Sequence, residues 1–287
     1  MPESHGAQQP ARESFGSRLA AAMAARGPLC VGIDPHPQLL LDWGLNDDVA
    51  GLERFSLTVV EAVASLAAAV KPQVALYERH GSAGMAVLER TLASASDAGV
   101  LSIADAKRGD IGSTMAAYAD AWLRDGSALA ADSVTLSPYL GFESLRPALD
   151  LAAQNGRGVF VLALTSNPEG KSVQHVGGSD SVARRIVAAA SEENQRYAGA
   201  LGSVGLVVGA TIGSALEDLE VDLGPLRGAI LAPGLGAQGA TPADLRATFG
   251  SAYPAVLATS SRGILAAGPT VAALRAATEE TLAGLRA

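Results

Sequence analysis

Eight short apolar runs, rich in β-branched residues, alternate with longer alanine-rich stretches, and that alternation restricts the fold more than any other property of the chain. Apolar runs of four to eight residues bounded by turn residues read as buried strands, whereas apolar positions three and four apart read as helix. The strands are expected at 29–33, about 67–71, 100–104, 133–137, 158–164, 204–208, 228–232 and 255–259. Helical segments follow them near 47–64, 81–97, 113–124, 143–153, 181–199, 211–219, 241–248 and 270–285. A further amphipathic helix near 13–26 precedes the first strand, and residues 1–12 are expected to form a poorly ordered tail. No Pro/Ser-rich linker divides the 287 residues, a length that one α/β barrel can fill. The expected architecture is α/β: a (β/α)8 TIM barrel over 1–287, a single domain with an extra N-terminal helix.

The second strand needs a decision at Val70-Lys71-Pro72-Gln73. Proline interrupts a central ladder, so the strand is expected to end at Lys71, leaving that lysine at its C-terminal end. Asp34, Lys71, Asp105, Ser137, Ser166, Pro233-Gly234 and Ser260-Ser261-Arg262 then all fall at or just after strand C-termini. That is the barrel face on which active sites are built. Residues two apart on an extended chain point to one side, so Asp105 and Lys107 should sit together at the third strand's mouth. Gly109 then allows a sharp turn that carries Asp110 away. A lone D-x-K is most often a surface ion pair. Acid and lysine recurring at three successive strand mouths argue for a built charge array, in which each group shifts the others' ionisation.

Composition narrows the ligand. The residues are 48% hydrophobic and 4% aromatic, with 32 glycines, which suits helices packed closely on a sheet. A net charge of −8 without a basic cluster argues against a nucleic-acid polymer as partner. One cysteine, Cys30, excludes an internal disulfide framework, and within Leu29-Cys30-Val31-Gly32-Ile33 it reads as a buried thiol. His5, His36, His80 and His175 show no ligand spacing, so no metal site is expected. The polar first fifteen residues and the absence of a long apolar run point to a cytoplasmic protein with no membrane association.

Gly234-Leu235-Gly236-Ala237-Gln238-Gly239 spells G-x-G-x-x-G after a strand. A dinucleotide site would need an acid about 20 residues on, yet no Asp or Glu occurs between Asp244 and Glu279. The physical content survives: glycines let backbone N–H groups approach a phosphate. The loops after barrel strands seven and eight are a recurrent phosphate site, and Arg262 adds a guanidinium there. Gly170-Lys171-Ser172 is no P-loop, because Thr165 stands where the first glycine belongs.

Taken in order, Val31-Gly32-Ile33-Asp34-Pro35, Val70-Lys71-Pro72-Gln73, Asp105 to Thr114, Thr165-Ser166-Asn167-Pro168, Ala232 to Gly239 and Ser261-Arg262-Gly263 resemble orotidine 5'-phosphate decarboxylases of the longer bacterial type seen in actinobacteria. The resemblance covers nearly the whole chain. It implies conversion of orotidine 5'-monophosphate to uridine 5'-monophosphate and CO2 in pyrimidine biosynthesis, with no metal and no cofactor. Carried over by position, Lys71, Asp105, Lys107 and Asp110 would form the catalytic array, with Lys107 as proton donor. Asp34 and Thr114 would hold ribose hydroxyls, Ser166 the pyrimidine edge, and Gln238 and Arg262 the phosphate; Ile111, Pro233, Gly234 and Ser261 complete the implied substrate contacts. The resemblance also implies a homodimer in which Asp110 and Thr114 enter the neighbouring subunit's site. The segment 169–180 is long and hydrophilic, which leaves open what covers the base. Mg²⁺-dependent sugar-phosphate decarboxylases and aldolases of the same superfamily also resemble the D-x-K-x-x-D pattern, but use an acid where this chain has Lys71. A non-catalytic nucleotide-phosphate barrel is the remaining alternative.

Overall fold

A computed structural model describes residues 12–236 and 239–286. Eight parallel strands form the centre: β1 (Leu29–Ile33), β2 (Ala69–Pro72), β3 (Leu101–Arg108), β4 (Ser133–Leu136), β5 (Gly158–Leu164), β6 (Gly202–Val208), β7 (Gly228–Pro233) and β8 (Val256–Ser260). They pair in chain order and β8 returns to β1, closing the barrel. Every residue of β1, β2, β4, β6 and β8 is buried, as expected of parallel strands covered on both faces.

An N-terminal helix, α1 (Phe15–Arg26), precedes the barrel helices α2 (Val49–Val63), α3 (Gly81–Asp97), α4 (Gly112–Leu123), α5 (Arg146–Gln154), α6 (Val182–Asn194), α7 (Ala215–Asp218), α8 (Pro242–Phe249) and α9 (Val271–Arg286). The (β/α)8 expectation with its extra helix is what the chain adopts. Of the tail expected over 1–12, residues 1–11 lie outside the described residues; Arg12 is described and pairs with Asp125 at 3.1 Å.

Helix α1 closes the N-terminal end. The Ser14 hydroxyl caps it by accepting the Ser17 N–H. Phe15 and Leu19 drop into the barrel, where the Phe15 ring meets Phe160 edge-on at 6.0 Å. Arg18 ties the helix down, donating to Asp132 Oδ1 at 2.5 Å and to the Gly156 carbonyl at 2.9 Å. The interior cluster continues upward through Ile103, Val207 and Leu231.

Of the boundaries that differ from expectation, three matter most; among the others, α6 ends at Asn194 instead of 199 and β6 begins at Gly202 instead of 204. Strand β2 includes Pro72: the next N–H, that of Gln73, makes the ladder bond to the Ile33 carbonyl at 3.1 Å, so the ladder survives the proline's missing donor. Strand β3 runs on to Arg108 instead of ending at 104, through an irregularity described below. The helix expected at 211–219 is only Ala215–Asp218, because the turn before it passes through Gly213 in a left-handed conformation. Among the described residues, no helix is long and apolar enough to cross a membrane.

Candidate active site

The C-terminal ends of the strands surround a cavity of about 530 Å³, within the usual range for small-molecule sites. Its floor is the top of the interior column, Leu162, Val207 and Leu231. Above that floor, the register of the barrel sets the charges. Gly32 of β1 lies opposite Lys71 of β2, and Gln73 bridges to Asp105 of β3. Gly32 has no room for a side chain: a Cβ there would sit 2.8 Å from Ser261 Cβ. Three loops therefore close on one point.

Asp105 is the hub. Its Oδ2 accepts from Lys71 Nζ at 2.8 Å and from Gln73 Nε2 at 3.0 Å. Its Oδ1 accepts from Lys107 Nζ at 2.7 Å and from Thr135 Oγ1 at 3.0 Å. Four donors on two oxygens leave this carboxylate no need of a proton. Burial alone would raise its pKa, but the Lys71 and Lys107 cations outweigh that and hold it well below the ordinary carboxylate value. Burial alone would likewise lower Lys71; the Asp105 and Asp34 charges instead hold its ammonium above its ordinary value. The array is graded in depth: Lys71 and Asp105 are 6% and 8% exposed, while the Lys107 side chain is 47% exposed. The deep pair is fixed and the outer lysine faces the cavity.

The path of β3 explains this grading. Ala104 pairs with Val134 and Arg108 with Leu136, so Asp105, Ala106 and Lys107 all lie across from Thr135 alone. The two extra residues make a bulge, and within it Lys107 takes φ +49°. A left-handed lysine costs roughly 1–2 kcal/mol, and such strain gathers at functional positions. Gly109 is required for a reason other than the expected turn. Its φ is not left-handed, but a Cβ would lie 2.3 Å from the Ser137 carbonyl oxygen. Gly112, at φ +53°, makes the reversal into α4.

Of the expected site residues, Asp34, Lys71, Asp105, Lys107, Pro233, Gly234, Ser261 and Arg262 line this one cavity. Gln238 lies outside the described residues. Asp110, Ile111 and Thr114 do not line it. The Asp110 carboxylate accepts the Ile111 N–H at 2.8 Å, Ile111 is 62% exposed and Thr114 is exposed. Ser166 is also exposed and outside the lining, where its neighbours Thr165 and Asn167 stand instead. Gln174 holds that strand end, accepting the Thr165 N–H at 2.9 Å and donating to Thr165 Oγ1 at 2.7 Å. In the glycine loop, the Gly236 N–H is already bonded to the Ala240 carbonyl at 2.9 Å and the Gly239 N–H to the Gly236 carbonyl at 2.8 Å. They are therefore not free for a phosphate. Arg262 opens a one-turn helix, Arg262–Leu265, just after β8.

Sequence reading missed His36, Gln73, Thr165, Asn167 and Thr259 in the lining, and Thr135 beneath it. Gln73 could have been found from its place two residues beyond Lys71, on the same side of an extended chain. Among the described residues, four buried side-chain oxygens lack a partner, and three of them, Asp34 Oδ1, Thr259 Oγ1 and Ser261 Oγ, line the cavity. Buried polar atoms are nearly always paired, so their convergence here marks a place for a polar ligand. No group of three or more His, Cys, Asp or Glu side chains among the described residues is arranged to hold a metal ion.

Fold and site together define a (β/α)8 barrel that carries a buried lysine–aspartate–lysine array and an arginine at the mouth of its last strand. The model of the Orotidine 5'-phosphate decarboxylase / HUMPS family matches residues 27–277, and the chain belongs to that family. A Salinispora arenicola relative named orotidine 5'-phosphate decarboxylase is 61% identical over 279 residues, covering 96% of this chain and 98% of that protein. One from Streptomyces coelicolor with the same name is 57% identical over 276 residues, with 96% and 98% covered. A crystal structure from Streptomyces avermitilis, assigned as an orotidine 5'-phosphate decarboxylase, superposes with a TM-score of 0.93 at 56% identity, covering 98% of each chain. The OMP decarboxylase of Leishmania donovani superposes with a TM-score of 0.75 at 31% identity, covering 96% of this chain and all of that one.

Proposed function

We propose that this chain is a carboxy-lyase that converts orotidine 5'-monophosphate to uridine 5'-monophosphate and CO2 in the cytoplasmic synthesis of pyrimidine nucleotides. The observation that carries the reading is Lys71 paired with Asp105 beneath an outward-facing Lys107. Barrels that stabilise an enediolate on Mg²⁺ need an acid where Lys71 stands.

Decarboxylation breaks the bond between C6 of the pyrimidine and its carboxylate. CO2 departs, and the electron pair stays on C6. That vinylic carbanion has no delocalising group within the ring, so the protein must stabilise the developing charge more than it stabilises the substrate. Lys107 supplies the cation and then the proton, which moves from Nζ to C6; the neutral amine regains a proton from solvent. Asp105, kept ionised by its four donors, lies beside the substrate carboxylate, and its repulsion falls as neutral CO2 forms. Lys71 holds Asp105 in place. Asp34 accepts from ribose hydroxyls, the free Ser261 hydroxyl donates to sugar or phosphate oxygens, Thr165 and Asn167 face the base beside the expected Ser166, and Arg262 with Gln238 grips the phosphate.

The second site element comes from a partner copy. Asp110 and Thr114 lie outside their own cavity; Ile111 follows Gly109 by two residues and is 62% exposed, and Tyr139 and Leu140, 78% and 53% exposed, follow Ser137, whose carbonyl Gly109 abuts. Large apolar side chains exposed on these two loops favour association. A homodimer then brings Asp110 toward the partner's lysines. Two measurements test the reading. Purified protein given orotidine 5'-monophosphate in the presence of EDTA should change its ultraviolet absorbance to that of the uridine nucleotide; loss of turnover on chelation would refute metal-free chemistry. Asp110→Ala and Lys107→Ala proteins, each nearly inactive, should regain activity as heterodimers, and confirmed subunit exchange without recovery would refute the shared site.

A further inference from the structure

The hydroxyl of Thr135 touches no cavity surface, yet it is bonded to both halves of the catalytic pair. Thr135 is 1% exposed on β4, opposite the β3 bulge. A bulge removes backbone groups from the ladder, and a buried N–H must find another acceptor. The Lys107 N–H finds Thr135 Oγ1 at 2.9 Å. An amide can only donate, so the hydroxyl's own proton is committed elsewhere. It goes to Asp105 Oδ1 at 3.0 Å, the same oxygen that receives Lys107 Nζ at 2.7 Å. A closed circuit results: Lys107 backbone to Thr135, Thr135 to Asp105, and Asp105 to the ammonium of the same lysine.

We infer that Thr135 is a positioning residue, whose hydroxyl sets where the Lys107 ammonium stands by fixing both the left-handed backbone from which that side chain starts and the carboxylate oxygen at which it ends. The inference rests on the decarboxylase reading for its kinetic consequence, though not for its geometry. Threonine suits the position because its branched carbon fits a strand while its hydroxyl replaces the ladder carbonyl that the bulge removes. Valine has the same shape and neither bond. Because proton transfer to C6 depends on the last fraction of an ångström, loss of the circuit should fall on turnover and not on substrate affinity; misplacement by about 1 Å can cost around 100-fold.

The test compares Thr135→Val with Thr135→Ser, at equal folded concentration. Thr135→Ser should stay within about threefold of the wild type, while Thr135→Val should lose roughly 10- to 100-fold in kcat with KM within about threefold. Exchange of the C6 hydrogen of the uridine nucleotide with solvent deuterium forms the same carbanion without a departing carboxylate, and should slow by a similar factor. Equal kcat in the two folded variants would overturn the inference, as would a change confined to KM. Should Thr135→Val not fold, Thr135→Ala takes its place and must fall at least tenfold below Thr135→Ser, equality again being fatal. Protection of the Lys107 amide against hydrogen exchange is independent of substrate: retained in Thr135→Ser, it should be lost in the valine or alanine variant, and its retention there would overturn the inference. Failure of the wild type to act on orotidine 5'-monophosphate would refute the decarboxylase reading and leave this amide measurement to decide the role of Thr135.

Discussion

The two ends of the barrel handle buried polarity differently: among the described residues, three of the four unpaired buried side-chain oxygens lie at the C-terminal end and one, Ser133 Oγ, at the other. At the N-terminal end, Arg18 meets Asp132, the Asp132 Oδ2 accepts the Ser102 N–H at 3.0 Å, and the Phe15 ring packs edge-on against Phe160. That end is spent on stability. At the C-terminal end, Asp34, Thr259 and Ser261 leave oxygens without partners and Lys107 holds a strained backbone. One interior column, from Phe15 up to Leu231, joins the two. The contrast shows a scaffold whose closed end supports an open end left incomplete without a ligand.

Substitutions should separate these roles. The largest effect is expected for Lys107→Ala, which should lower uridine nucleotide formation by several orders of magnitude while circular dichroism shows the fold kept; near-normal turnover would break the assignment. Phe15→Ala should do the reverse, destabilising by about 3–5 kcal/mol in denaturant unfolding, with kcat per folded molecule within about threefold. Arg18→Ala should cost about 2 kcal/mol by the same measurement with KM unchanged; a kcat loss there would erase the distinction between the ends. At neutral pH the smallest effect is the one that depends on titration. Asp105 has its pKa depressed in the folded state, so its contribution to stability is complete above the ordinary value of 3.8 and erodes as pH falls below it. Lys71 has its pKa raised, so its contribution is complete below 10.5 and erodes as pH rises beyond. In Asp105→Asn, the acid limb of a stability–pH curve below pH 3.8 should flatten by up to one proton, about 1.4 kcal/mol per pH unit.

Much of this was readable from residue order. Periodicity located all eight strands because parallel barrel strands are buried on both faces and appear as unbroken apolar runs. The charged mouths followed from strand ends alone. The bulge did not: it depends on β3 and β4 having different lengths between the same two pairings, a relation between segments that neither segment displays. Thr135 is hidden for the same reason, while Ser137, two residues later, is the residue that the strand end singles out. Ser166 lies outside the cavity lining, while its neighbours Thr165 and Asn167 line it and Gln174, nine residues downstream, bonds to Thr165; that pairing joins two segments and is not visible in either one. Asp110, Ile111 and Thr114 lie outside the cavity of their own chain, and the shared site proposed for them would be a property of two chains.

Cys30 has a practical consequence. It is the chain's single cysteine, wholly buried beneath the array, where burial pushes its thiol up to about 12. Near neutral pH it offers almost no thiolate to an alkylating reagent or an oxidant. The native protein is therefore a blank background for thiol chemistry. A cysteine introduced at exposed Tyr139 would be the sole reactive handle, so that a fluorophore or cross-linker placed there would report directly whether two copies meet at that loop.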